Sequence, residues 1–152
     1  MKLTPNFSRD EFVISQTAIR GGIDNTPPPA AWANLTALCT NVLEPAHDAL
    51  GPIIVSSGYR SPMLNVVVGG ALHSQHMSGE AADITAKNCS LGNLYRWLSE
   101  NTPFDQLIWE FGAWVHTSHR LDGPQRGERL LAWRHDGKTR YVPLDSDQIS
   151  SL

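Results

Sequence analysis

Apolar side chains recur at helical spacing early in the chain. The stripe comprises Trp32, Leu35, Leu38, Cys39, Val42 and Leu43. It predicts a long helix after the prolines at 27–29, with Gly51 as its C-terminal cap and a bend or break near Pro45. Before it, Ser8 and Glu11 form a capping-box pattern, which predicts a short helix ended by the glycines at 21–22.

Later apolar runs have the length and spacing of strands. We expect strands at 53–57, 80–85, 104–110 and 114–118, and a helix that begins after Ser90. The runs at 130–133 and 141–142 flank Asp136 and Gly137, a strong hairpin signal. The polar tail after Leu144 is expected to fray over 145–152. The pattern predicts one α+β domain over residues 1–152, with helices packed against a small, mainly antiparallel sheet.

Composition narrows the classes of function. The chain has 152 residues, 41% of them hydrophobic, and a net charge of −3 without a basic run, so nucleic acid is not an expected partner. No apolar run has the length of a membrane span. The polar start predicts no secretion signal and synthesis in the cytoplasm. Cys39 lies in the helical stripe, which favours a buried free thiol over a disulfide.

The segment 57–85 carries the residues most suited to chemistry. His76 comes seven positions before Asp83, and His116 ends a W-V-H triplet further along. Two imidazoles and one carboxylate can hold a divalent metal ion and leave a fourth position open, as in catalytic zinc sites. An ordinary hydrogen-bonded His–Asp pair is the alternative. If 114–118 is a strand, alternation turns His119 to the opposite face from His116.

Several motifs occur together and in order: S-G-Y-R-S-P, then Asn, G-G, S-x-H, G-x-A-x-D-I and W-x-H. This set resembles the zinc D-Ala-D-Ala peptidase family, above all its small single-domain members from bacteria and their phages. The resemblance implies the hedgehog-like zinc peptidase fold and one Zn²⁺ ion per chain, held by His76, Asp83 and His116. It also implies peptidoglycan stem peptides as substrate and a substrate-binding role for Arg60.

Glu110 is the leading candidate for the general base. If the loop after it spans only residues 111–113, Glu110 faces Trp114 and lies diagonal to His116 on one face of a hairpin. A two-residue loop would turn it away. Some members of the family have the base three residues before the last ligand, where this chain has Ala113. Glu80 is the second candidate, and an exposed strand-end carboxylate without a role is the alternative for Glu110.

Arg60 follows a strand and precedes a tight connection. Its planar guanidinium can bind a carboxylate through two parallel hydrogen bonds, or it can hold the loop as a structural residue. Asn65, Ser74 and Gln75 are candidates for hydrogen bonds to substrate or for orienting the metal ligands.

These residues predict a zinc metallopeptidase that hydrolyses peptide bonds in peptidoglycan stem peptides. The open run of polar residues favours an endopeptidase over a D,D-carboxypeptidase, although the sequence does not fix the bond. The alternatives are a non-catalytic peptidoglycan-binding or virion structural module, and a cytoplasmic dipeptidase. We expect a monomer that acts on the cell wall after release, as an endolysin in phage lysis or by delivery in a virion.

Overall fold

A six-stranded sheet forms the centre of the computed structural model, which describes residues 1–152. The strands are β1 (Lys2–Thr4), β2 (Phe7–Ser8), β3 (Ile53–Ser57), β4 (Ala81–Ala86), β5 (Gln106–Glu110), β6 (Trp114–Ser118), β7 (Glu128–His135) and β8 (Lys138–Pro143). The helices are α1 (Gln16–Gly21), α2 (Pro29–Leu38), α3 (Glu44–Leu50), α4 (Pro62–Val67), α5 (Leu91–Asn101) and α6 (Ser146–Ser150). Two 3₁₀ helices span Arg9–Phe12 and Gln75–Ser78, and a π-helical turn spans Cys39–Leu43.

The strand order of the large sheet is β3-β4-β6-β5-β7-β8, and β1 pairs separately with β2. All neighbours are antiparallel except β5 and β7, which run parallel. The predicted α+β class with a mainly antiparallel sheet is therefore confirmed. The predicted hairpin turn is confirmed as well, since Asp136 and Gly137 both have positive φ, 51° and 72°.

In the structure, two shorter helical elements replace the first predicted helix. The Ser8–Glu11 capping box is present, but it opens only the 3₁₀ helix Arg9–Phe12. The backbone then turns extended at Ser15, whose side chain accepts a hydrogen bond from the Ala18 amide and starts α1. Gly22, in the left-handed region, ends that helix.

The long predicted helix runs to Leu50 without breaking at Pro45. Immediately before this proline the chain makes a π-helical turn, in which the Glu44 amide donates to the Cys39 carbonyl. Because a proline ring clashes with the carbonyl four residues earlier, the wider turn lets the helix continue.

Helices α3 and α5 pack against the large sheet, and α2 contributes to the same core. Leu35, Leu38, Cys39, Val42 and Leu43 of the predicted stripe are all buried. Cys39 is free and buried, as predicted, and burial raises the pKa of its thiol to about 12. None of the helices is both long and apolar enough to cross a membrane. The opposite face of the sheet is left to the polar residues described below.

The tail does not fray, which corrects the expectation for residues 145–152. Asp145 and Gln148 form a capping box for α6, and the Leu152 carbonyl accepts a hydrogen bond from Arg96 of α5. Leu144 and Ile149 are buried in the core. Ile149 and the Arg96 contact thus hold the tail against α5.

Replacing Ile149 with alanine tests this anchoring. Loss of a buried isoleucine side chain typically costs about 2–5 kcal/mol of unfolding free energy, whereas Ile19→Ala removes a side chain that is 66% exposed. We expect a clear fall in melting temperature for Ile149→Ala and almost none for Ile19→Ala. Equal melting temperatures for both variants would mean that α6 is not part of the folded core.

Candidate metal centre

The register of β4 and β6 brings two of the predicted ligands together. Asp83 pairs directly with His116 across these antiparallel strands, so both side chains project from the same face of the sheet. His76 reaches this face from the 3₁₀ helix Gln75–Ser78, which is capped by the Ser74 hydroxyl. Residues that are distant in sequence therefore meet above the middle of the sheet.

Two glycines make this approach possible. Gly79, with φ of 76°, lies so close to α2 that a Cβ atom would be 2.5 Å from the Ala31 carbonyl oxygen. At Gly58 a Cβ atom would lie 2.6 Å from the Phe12 Cα. Neither position has room for a side chain, and both connect directly to the segments that carry His76 and Arg60.

The three donor groups have the spacing of a tetrahedral site. Asp83 Oδ1 lies 3.2 Å from His76 Nε2 and 3.1 Å from His116 Nδ1. All three donor atoms lie within 4.8 Å of one another. Tetrahedral zinc with bonds of about 2.0–2.1 Å separates its ligand atoms by about 3.3 Å. The set therefore fits one metal ion.

The orientation of His76 supports the same conclusion. Its Nδ1 lies 2.6 Å from the Gly58 carbonyl oxygen, so this nitrogen donates its proton to the backbone. The other nitrogen, Nε2, is then a bare acceptor that faces a carboxylate oxygen. A cation between the two, or a second proton on the ring, removes this conflict.

Asp83 supplies the negative charge of the centre. Burial alone would raise its pKa, but His76 and His116 together hold the pKa of this carboxyl well below its usual range. Asp83 is consequently ionised at neutral pH, and an anionic oxygen flanked by two imidazoles is a suitable donor set for zinc.

Glu110 lies beside this group, as predicted for a three-residue hairpin loop. The loop is residues 111–113, Glu110 pairs with Trp114, and its Oε1 is 3.9 Å from His116 Nδ1. Burial raises the pKa of Glu110, against the opposing charges of His116 and Arg60. The second candidate, Glu80, accepts a hydrogen bond from the Ser78 hydroxyl and is not among the residues that line the cavity.

Arg60 faces the same cavity from the connection after β3. Its Nη2 donates to the Ser74 hydroxyl at 3.4 Å, while its buried Nε has no partner. Burial lowers the pKa of Arg60, but the nearby Asp83 and Glu110 carboxylates oppose this shift. A guanidinium with free donors beside a metal site is equipped to bind an anionic group.

The other polar candidates differ in their surroundings. Gln75 lines the cavity and donates to Asp105 Oδ2, and its buried Oε1 has no partner. Asn65 is instead buried and is not among the residues that line the cavity. Its side-chain amide donates to the Ala71 carbonyl and closes the loop after α4, which is a structural contact. His119 points to the Pro103 carbonyl, away from the metal ligands, as alternation predicts.

The cavity has a volume of about 1110 Å³ and includes residues that the sequence did not suggest. Arg134, Thr139 and Tyr141 enter it from β7 and β8, and Asp10 and Glu11 line its other end. The alternation of 139 and 141 was a usable signal for a shared face. The parallel pairing of β7 with β5, which brings that face to the metal centre, has no local signature.

Comparison with known proteins agrees with this geometry. The family model described as Peptidase M15 matches residues 5–118, a range that holds all three metal-ligand candidates, Glu110 and Arg60. The chain belongs to the Peptidase M15 family. Strands β7 and β8 and helix α6 lie outside the part that matches the M15 model.

One curated relative is the zinc D-Ala-D-Ala carboxypeptidase of Streptomyces albus G. It is 42% identical over 73 residues, which are 44% of this chain and 29% of that protein. The match thus covers less than a third of the length of this relative.

A metal titration tests the ligand set. We expect the metal-free protein to bind one zinc ion, and a ligand at 100 times its Kd stabilises the folded state by about 2.7 kcal/mol. His76→Ala should abolish both the binding heat and the zinc-dependent rise in melting temperature. His119→Ala, which changes a histidine outside the group, should retain both. Undiminished zinc binding by His76→Ala would contradict the assignment.

Proposed function

We propose that this M15 chain is a zinc-dependent peptidase that hydrolyses peptide bonds in peptidoglycan stem peptides. The proposal is supported by the family, by the similarity to the zinc D-Ala-D-Ala carboxypeptidase of Streptomyces albus G and by the donor set. The observation that carries it is the Glu110 carboxylate, 3.9 Å from a nitrogen of the metal-ligand group. A purely structural metal site has no need of an additional buried carboxylate.

The three ligands would hold the ion and set the net charge of the centre. Bound by His76, Asp83 and His116, zinc would act as a Lewis acid in a centre of net charge +1 and would lower the pKa of water. The Gly58 carbonyl fixes the tautomer of His76, which turns the free Nε2 towards the Asp83 carboxylate, where a cation would bind to both. The site is thus preorganised before substrate enters.

Glu110 acts as the general base and then as the general acid. Its carboxylate takes a proton from the attacking water and delivers it to the nitrogen of the leaving amine. The raised pKa of Glu110 makes the protonated form easier to reach, because burial disfavours its charge. The carboxylate therefore suits both steps of the proton transfer better than an exposed glutamate would.

Arg60 binds a carboxylate of the stem peptide. Its buried Nε has no partner in the protein, and its Nη2 has only a long contact with Ser74. Buried donors without partners are costly, and a bidentate carboxylate would satisfy them. Gln75 Oε1 and Trp114 Nε1 are two further buried cavity-lining atoms without partners, and they are suited to the peptide backbone.

The cavity extends on both sides of the metal centre, which favours an endopeptidase. Asp10 and Glu11 line one end beside β3, and Arg134 and Thr139 line the other end at the β7–β8 edge, while Asp83 and His116 lie on β4 and β6 between these ends. A stem peptide can therefore continue past the cleaved bond in both directions. A carboxypeptidase needs only one open side. The substrate puts the site of action at the cell wall.

Mass spectrometry of muropeptides is the direct test of this function. Zinc-loaded protein should convert purified peptidoglycan into fragments with new amino termini inside the stem, and a chelator should stop the reaction. Release of terminal D-alanine alone would identify a carboxypeptidase. Intact muropeptides in the presence of bound zinc would favour the non-catalytic wall-binding module.

Glu110→Gln tests the proposed base. Glutamine has nearly the same shape but cannot accept the proton, so turnover should fall about 10²–10⁴-fold while zinc content stays at one per chain. The acid limb of the kcat/KM profile, which reports protonation of Glu110 above its ordinary pKa, should disappear as well. Glu80→Gln is the matched control and should remain active. Equal rates for wild type and Glu110→Gln would assign the base to another group.

Arg60→Lys tests the carboxylate contact. Lysine keeps the positive charge but cannot form two parallel hydrogen bonds, so kcat/KM for a stem peptide should fall severely with zinc content unchanged. A substrate in which the bound carboxylate is amidated should lose this sensitivity. If Arg60→Lys and Arg60→Ala are folded and fully active, the residue is structural.

A further inference from the structure

The β7–β8 hairpin forms a wall of the cavity, although it lies outside the residues that match the family model. Its register is fixed by two pairings. Glu110 pairs with Ala132 of β7, and Ala132 pairs with Tyr141 of β8. The three residues form one row across neighbouring strands, and their side chains share the face that carries the metal ligands.

Ala132, in the middle of this row, is small enough to let the side chains of Glu110 and Tyr141 approach each other. Neighbouring strands are about 4.8 Å apart, so Glu110 and Tyr141 are separated by roughly 10 Å of backbone. Ala132 extends no further than its Cβ and is only 1% exposed. The Tyr141 ring can therefore lean over Ala132 towards Glu110, and it lines the same cavity.

The charges around Tyr141 agree with this placement. Burial raises the pKa of its phenol; Glu110 and Asp83 add to this shift, and Arg60 opposes it. All three charged neighbours belong to the metal centre or the substrate cavity. The hydroxyl is thus a neutral O–H donor at neutral pH.

The hydroxyl also has no hydrogen bond within the protein. By contrast, Tyr95 is buried in the core, and its hydroxyl proton is shared between the Leu107 and Leu130 carbonyl oxygens. Tyr141 is 49% exposed and faces the cavity with its donor unused. A donor in this position is available to a group of the substrate.

We propose that Tyr141 is a catalytic residue whose hydroxyl donates a hydrogen bond to the carbonyl oxygen of the scissile peptide bond. The proposal rests on the peptidase function proposed above. Negative charge develops on this oxygen as water attacks, so the hydrogen bond is stronger in the transition state than with bound substrate. The phenolic proton stays on Tyr141, and the transferred protons move through Glu110.

Tyr141→Phe removes only the hydroxyl and keeps the ring over Ala132. Loss of one donor to a developing oxyanion typically costs about 10²–10³-fold in kcat. We expect a fall of this order with KM changed little, and with the zinc content and melting temperature of the wild type. Arg140→Gln is the matched control on the same strand, since Arg140 lies on the opposite face of the hairpin and should leave activity unchanged.

A phosphinate analogue of the cleaved stem peptide supplies a second readout. Its inhibition constant should rise for Tyr141→Phe in proportion to the loss of kcat/KM, because the phosphinate oxygen imitates the tetrahedral oxyanion. An unchanged kcat in Tyr141→Phe, or a rise in KM alone, would overturn the role of Tyr141 and leave the peptidase function intact. Absence of turnover in zinc-loaded wild type would instead contradict the peptidase function itself.

Discussion

The carboxylate of Asp83 is held between two imidazoles, and the arrangement of the site depends on this contact. A buried charge is costly unless it is paired, and Asp83 Oδ1 lies within 3.2 Å of both His76 and His116. Strand pairing sets one partner directly, because Asp83 lies opposite His116. The other partner is held by the Gly58 carbonyl. Removing either histidine would take away one of the groups that, together with a bound cation, compensate this buried carboxylate.

The features that depend on local periodicity were predictable from the sequence. The apolar stripe along α2 and α3, the Ser90 cap of α5 and the Asp136–Gly137 turn each occur where the pattern indicated. Strand alternation also separated His116 from His119, and the three-residue loop brought Glu110 to the ligand face. These inferences succeed because the period of a strand decides which side chains share a face.

The features that depend on contacts distant in sequence were not predictable. The parallel pairing of β5 with β7 places Tyr141 in the row with Glu110, and nothing in either strand alone indicates it. Asn65 is polar and precedes a glycine pair, yet its side chain closes a loop rather than facing the cavity. The tail has a polar composition, yet Ile149 anchors it. Composition indicates the average environment of a segment, whereas the position of each of these side chains depends on a single tertiary contact.

The most direct test of the account is the position of a bound zinc ion, measured by anomalous diffraction at the zinc absorption edge from crystals of the zinc-loaded protein. We predict one peak per chain, about 2.0–2.2 Å from His76 Nε2, His116 Nδ1 and a carboxylate oxygen of Asp83, with Glu110 close by but not a ligand. A peak elsewhere, such as beside Glu44 and His47, or no peak in crystals grown with excess zinc, would contradict the account.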